Sequence, residues 1–222
     1  GGSAQFADLL ASVIADHGGE VFTGDGVEWV GVNDRRVDYV RTGRGRRYEA
    51  DYYISAIHPC TLLTLMDEKA FPKSYRTRIN ELPNAYSAFA LYLKMKPGTF
   101  PYIDHSEYYM TRYDDVWNFG REDKQWPLGF LLMTPPEEQQ GDYSAKVLVT
   151  APMTFDKVSR WEHTTVGQRG EDYVRWKQEM AERLLAQIEE MHPCFREAVE
   201  AMNASSPLPI RDFYGAKEGT IC

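Results

Sequence analysis

The feature that most constrains this fold is the order of its strand-like runs, which follow one another without the helices a parallel sheet needs between its strands. Alternating or apolar runs at 20–23, 27–32, 36–42 and 48–56 come first, then 85–95, 107–112, 128–134, 145–151 and 208–214. Helical periodicity is confined to 4–16, 61–66, 72–82, a short stretch ending near 202, and one long segment, 171–191. In that segment Trp176, Met180, Leu184, Leu185 and Ile188 recur at helical spacing with charges opposite. This order predicts an α+β chain with a mixed or antiparallel sheet, flanking helices and a small β-meander, and argues against a doubly wound fold.

Local signals place several boundaries. Phe6, Leu9, Leu10, Val13 and Ile14 form one apolar stripe behind Ser3, and Gly18-Gly19 supplies the left-handed position that ends the helix. Asn33-Asp34-Arg35 reads as a hairpin tip, and Gly43-Arg44-Gly45 as the next turn. The run Tyr52-Tyr53-Ile54 is apolar without alternation, the pattern of a strand buried on both faces. Pro59 stands at a helix start and Pro193 after a helix end.

Composition narrows function mainly by exclusion. At 222 residues, 43% hydrophobic and 26% charged, the chain is long enough for one or two cores and is ordinary for a globular protein. A net charge of −8 argues against nucleic-acid binding, and the basic stretch from Arg41 to Arg47 reads as a solvated turn. No apolar run approaches the ~20 residues that span a bilayer. Cys60, Cys194 and Cys222 form neither a disulfide framework nor a metal or redox motif, so a reducing cytoplasm fits.

No reaction chemistry is legible in residue types alone. The sequence contains no GxSxG, no GKS or GKT loop and no GxGxxG. The five histidines share no ligand spacing, so neither a metal site nor a catalytic residue is assigned. His58 and Cys60, at a strand end and helix start, read as a loop histidine and a structural cysteine against a ligand contact or reactive thiol. The aromatic runs at 85–95 and 128–134 read as core or as a cavity wall.

Two longer stretches carry a resemblance. The first joins Gly18-Gly19-Glu20-Val21, Val27, Arg35-Arg36-Val37 and the run Ala50-Asp51-Tyr52-Tyr53-Ile54-Ser55-Ala56-Ile57-His58-Pro59, after Gly1-Gly2-Ser3 and its helix. The second runs from Ser206-Pro207 through Asp212-Phe213-Tyr214-Gly215 to Glu218-Gly219 and Cys222. Together they resemble the FAD-dependent phytoene desaturase, carotenoid isomerase and retinol saturase family, relatives of the flavin amine oxidases. The resemblance covers about residues 1–66 and 172–222; the strand-rich middle stands where that family builds its substrate domain.

The resemblance implies a central portion lacking the family's GxGxxG and its closing glycine-rich segment. Residues 1–66 then abut an FAD-binding domain, 67–206 form the substrate domain, and 207–222 return toward the cofactor. It implies FAD contacts at Val27, Ser55 and Ala56, and an apolar tunnel lined by Phe89, Tyr92, Phe130 and Leu132 for a polyene or lipid-like substrate. It also implies that FAD belongs to the full-length protein and is not held stably by this portion alone, which is inactive by itself. Peripheral membrane contact by the full-length protein is a further implication. A non-catalytic domain binding a hydrophobic ligand or partner, and part of a flavin amine oxidase, are the rival expectations.

Overall fold

The computed structural model describes residues 3–119 and 126–221, so Gly1, Gly2 and Cys222 of the resemblance lie outside it. The chain divides into two compact units, 1–83 and 84–222.

In the first unit, α1 (Ser3–Asp16) ends where Gly18 turns left-handed and the amides of Gly18 and Gly19 reach the carbonyls of Ala15 and Ile14. Its apolar stripe is real, yet none of its residues is buried. A three-stranded antiparallel meander follows, β1 (Val27–Asn33), β2 (Arg36–Thr42) and β3 (Arg47–Tyr48). The β1–β2 turn puts Asp34 and Arg35 both at positive φ, the two-residue geometry whose twist matches a hairpin. The basic turn is solvated and internally paired: Arg46 approaches Asp25, and Arg47 bridges Glu49 while stacking on Tyr39. Two helices complete the unit, α2 (Pro59–Thr64) and α3 (Lys73–Glu81).

Two expected strands are absent here. Residues 20–23 form no strand, and the expected 48–56 strand contracts to Arg47–Tyr48. Its apolar run, expected to be buried on both faces, leaves Tyr52 90% and Ile54 96% exposed. The cause is a local competitor: the Tyr53 hydroxyl donates to the Asp38 carbonyl and accepts from the Ala50 amide. A side chain therefore holds a β2 acceptor that a longer third strand would need.

The second unit is a five-stranded antiparallel sheet beneath one long helix. Its strands are β4 (Ser87–Met95), β5 (Glu107–Met110), β6 (Gly129–Met133) and, after the small hairpin of β7 (Gln139–Gln140) and β8 (Tyr143–Ser144), β9 (Lys146–Met153). The helices α4 (Glu171–Met191) and α5 (Phe195–Ala198) precede β10 (Val199–Ser205), and α6 (Pro207–Tyr214) follows it. The sheet order is β10-β4-β9-β6-β5. An α+β fold with an antiparallel sheet, flanking helices and a small meander is thus what the chain adopts.

The chain after α4 reverses two expectations. Where a short helix was expected up to about residue 202, the helix stops at Ala198 and β10 begins. Met202 and Ala204 alternate onto the core face, a period too short to read in the sequence. Residues 208–214, expected as a strand, are helical. Ser206 caps α6 by accepting from the Leu208 amide, Pro207 occupies the first turn, and Gly215 closes the helix left-handed.

Candidate functional site

Pleating gives the five-stranded sheet two unlike faces. On one, Phe89, Leu91, Leu93 and Met95 of β4 align with Val147, Val149, Ala151 and Met153 of β9 and with Phe130 and Leu132 of β6. Helix α4 seals this face with Met180, Ala181, Leu184, Leu185 and Ile188. Phe89 meets Trp126 and Trp176 edge-on, and Phe130 stacks on Tyr109. Polar ties ring the core: the Tyr109 hydroxyl donates to Glu190, Gln187 donates to the Pro127 carbonyl, and His192 pairs with Glu107 at 2.7 Å.

Among the described residues of the second unit, the opposite face is the less covered one. Tyr92, Leu148 and Met133 lie side by side across β4, β9 and β6. In the neighbouring row Ala90, Thr150 and Leu131 run on to Tyr108 of β5. The middle residues are half-buried, while Tyr92 is 51% and Tyr108 77% exposed. Three strand spacings set the two tyrosines about 14 Å apart across the sheet. The result is a low apolar floor, with alanine and threonine at its centre and an aromatic ring toward each side.

The four residues expected to line a tunnel are therefore divided. Phe89, Phe130 and Leu132 belong to the sealed face, and Tyr92 alone stands on the open one. Its companions there, Tyr108, Leu131 and Leu148, were not singled out in the sequence, although the period-2 alternation around Tyr92 carries the signal for Leu148 once β4 and β9 are paired. In the first unit Val27 is part-exposed at the start of β1, and Ser55 and Ala56 are exposed in the irregular segment beyond β3.

Titratable groups with displaced pKa values sit away from the open floor. The bond to Glu190 raises the Tyr109 hydroxyl, burial raises Tyr173, and burial lowers Lys177. Tyr173 is further tied to Ser206 at 2.8 Å, near the buried Arg169 and its more exposed partner Asp212. His58 is a helix cap, its ring accepting from the Cys60 amide, and the Cys60 thiol donates to the Ile79 carbonyl. Among the described residues no cluster of His, Cys, Asp or Glu is arranged to hold a metal ion. A groove of about 590 Å³ near His105, Glu107 and His192 has its imidazoles already paired with Asp104 and Glu107. Among the described residues no helix is long and apolar enough to cross a membrane.

The class defined is thus a helix-backed antiparallel sheet with one apolar face open, together with a separate meander unit. No protein-family model matches the sequence, and a search of curated proteins finds no match. Solved structures do share the fold. The crystal structure of an oxidoreductase from Methanosarcina mazei is similar at a TM-score of 0.56 and 15% identity, over 89% of this chain and 40% of that one. The PF1083 protein from Pyrococcus furiosus is similar at a TM-score of 0.51 and 15% identity, over 90% of this chain and 41% of that one. The chain thus spans about two fifths of the length of the structures it matches.

Proposed function

We propose that this chain is the substrate-binding portion of an FAD-dependent oxidoreductase of the phytoene desaturase type, acting on a polyene or other lipid-like substrate. The open apolar face of the sheet carries the reading. Its floor is hydrophobic and hydrogen-bond poor, suited to a ligand without polar groups, and the fold is similar to that of a solved oxidoreductase. The side chains facing the floor are a recognition surface rather than an acid–base apparatus, which suits chemistry done by a cofactor.

FAD fits the residues present only in part. Val27 is part-exposed and the 51–57 segment has unpaired main chain that a cofactor edge could meet, but the sequence holds no glycine-rich cradle for a pyrophosphate. The chain therefore does not retain FAD alone. When bound to the complete protein, the flavin supplies hydride transfer. The residues here bind the substrate, orient it between Tyr92 and Tyr108, and keep water from the floor.

Two measurements test this. The complete gene product should purify with the absorbance of an oxidised flavin; a colourless product that takes up no added FAD removes the oxidoreductase reading and leaves a hydrophobic-ligand module. The 222-residue chain should enhance the fluorescence of parinaric acid, a conjugated fatty acid. Leu148→Asp and the milder Tyr92→Ala should each weaken that binding about tenfold, equivalent to about 1.4 kcal/mol, with the far-UV spectrum unchanged. Binding insensitive to both would place the ligand elsewhere.

A further inference from the structure

One end of the open floor is charged. Tyr92 and Leu148 face each other across β4 and β9, and the next pair on the same face is Lys94 and Lys146. That step along the strands is about 7 Å. The Met95 amide donates to the Ala145 carbonyl, so the adjacent Lys94–Lys146 pair is of the non-hydrogen-bonded kind. Its Cα atoms are then about 4.5 Å apart, the closer of the two spacings in an antiparallel sheet. Like charges placed directly opposite each other are destabilising.

Each lysine has its own carboxylate. Lys94 bonds Glu200 of β10, and Lys146 bonds Glu138 in the turn after β6, both at 2.6 Å. Both lysine side chains are more than half exposed, and exposed ion pairs contribute less than about 1 kcal/mol, so an incoming anion can share these ammoniums. An ammonium has three N–H donors, and the glutamate occupies one of them in each case. The methylene stems of the lysines continue the apolar floor, and their heads end it. The floor residues Tyr92, Leu148, Met133, Ala90, Thr150 and Leu131 include no acid that would repel an anion lying along them.

We infer that Lys94 and Lys146 form an anion subsite at the end of the open floor, and that the ligand is an apolar chain ending in a single carboxylate. This deepens the proposed function and rests on the floor being the ligand-binding face. The floor takes the part of the ligand without polar groups, and the lysines take its end. Glu200 and Glu138 stay beside the pair, so a singly charged group is accommodated while a multiply charged phosphate meets their repulsion.

Fluorescence titration with parinaric acid and with its methyl ester tests this, below micelle-forming concentrations and at a pH that ionises the acid. The two probes share one apolar chain and differ in end charge. The acid should bind at least about tenfold more tightly at low salt, and added salt should shrink that preference. Replacing Lys94, Lys146, Glu200 and Glu138 together by Gln leaves the net charge of the chain unchanged. That variant should bind acid and ester alike, with the ester's affinity as in the parent chain. Glu200→Gln with Glu138→Gln, which strips the competing carboxylates and keeps the lysines, should enlarge the preference for the acid. Equal binding of acid and ester by the parent chain overturns the inference and leaves the floor reading intact. A preference that survives in the four-residue variant also overturns it, because the anion then sits elsewhere. Failure of both probes to bind removes the floor reading and this subsite with it.

Discussion

Arg35 occupies the left-handed region at φ 65 beside Asp34 at φ 45, a conformation that its Cβ disfavours and glycine accepts freely. Arg35→Gly should therefore stabilise the first unit by about 1 kcal/mol in urea titrations, the hairpin retaining its two-residue turn. A different residue-scale constraint governs the second unit. The Arg169 side chain is 4% exposed and is held by Thr164 and Asp212, with Tyr173 beneath it. Asp212→Ala strands a buried cation and should cost about 3 kcal/mol of unfolding free energy. Arg169→Met combined with Asp212→Leu should cost less than the single change, since the buried cation is then gone and only the part-exposed Arg211 loses its Asp212 partner. A double variant as damaged as Asp212→Ala would show that the pair contributes through packing alone.

Among the elements, α4 is the best specified in sequence and the most heavily used in structure. Its apolar positions at 180, 184, 185 and 188 become the lid of the core, and its polar side anchors the chain beyond it. Arg196 reaches back from α5 to Glu182 and Glu189, and its hydrogen bond holds the Glu182 carboxyl below the usual carboxylate range. A depressed folded pKa stabilises above the unfolded value and is lost as pH falls through the folded one. Acidification below the ordinary glutamate range should therefore weaken the α4–α5 junction. Glu182→Gln should remove that part of the pH dependence, an effect below about 1 kcal/mol because the pair is largely solvated. The element after this junction was the hardest to read. Residues 208–214 read as a strand in the sequence, yet Ser206-Pro207 before them is a helix start, and capping chemistry decided it. In 48–56 the strand signal was strong, but pairing needs a neighbour, and the Tyr53 hydroxyl took the nearest acceptor.

At the scale of the whole molecule the two units have unequal cores. In residues 1–83 only Val30 and Met66 are buried apolar side chains among those described, whereas 84–222 hold the sheet core and a second aromatic cluster around Trp161 and Tyr173. Calorimetry should therefore resolve two transitions, with 1–83 melting first; one cooperative transition would show that the units stabilise each other. The sequence by itself determined the α+β class, the long amphipathic α4, the hairpin tip at Asp34-Arg35, and the alternation that separates Phe89 from Tyr92. These are properties of neighbouring residues, set by helical and strand periods and by turn sterics. Only the tertiary structure decided that α4 covers the Phe89 face and leaves Tyr92 open, that Tyr108 shares that face, and that residues 51–57 pair with no strand among the described residues. Periodicity says which side chains point the same way, whereas coverage and pairing depend on residues far apart in the chain.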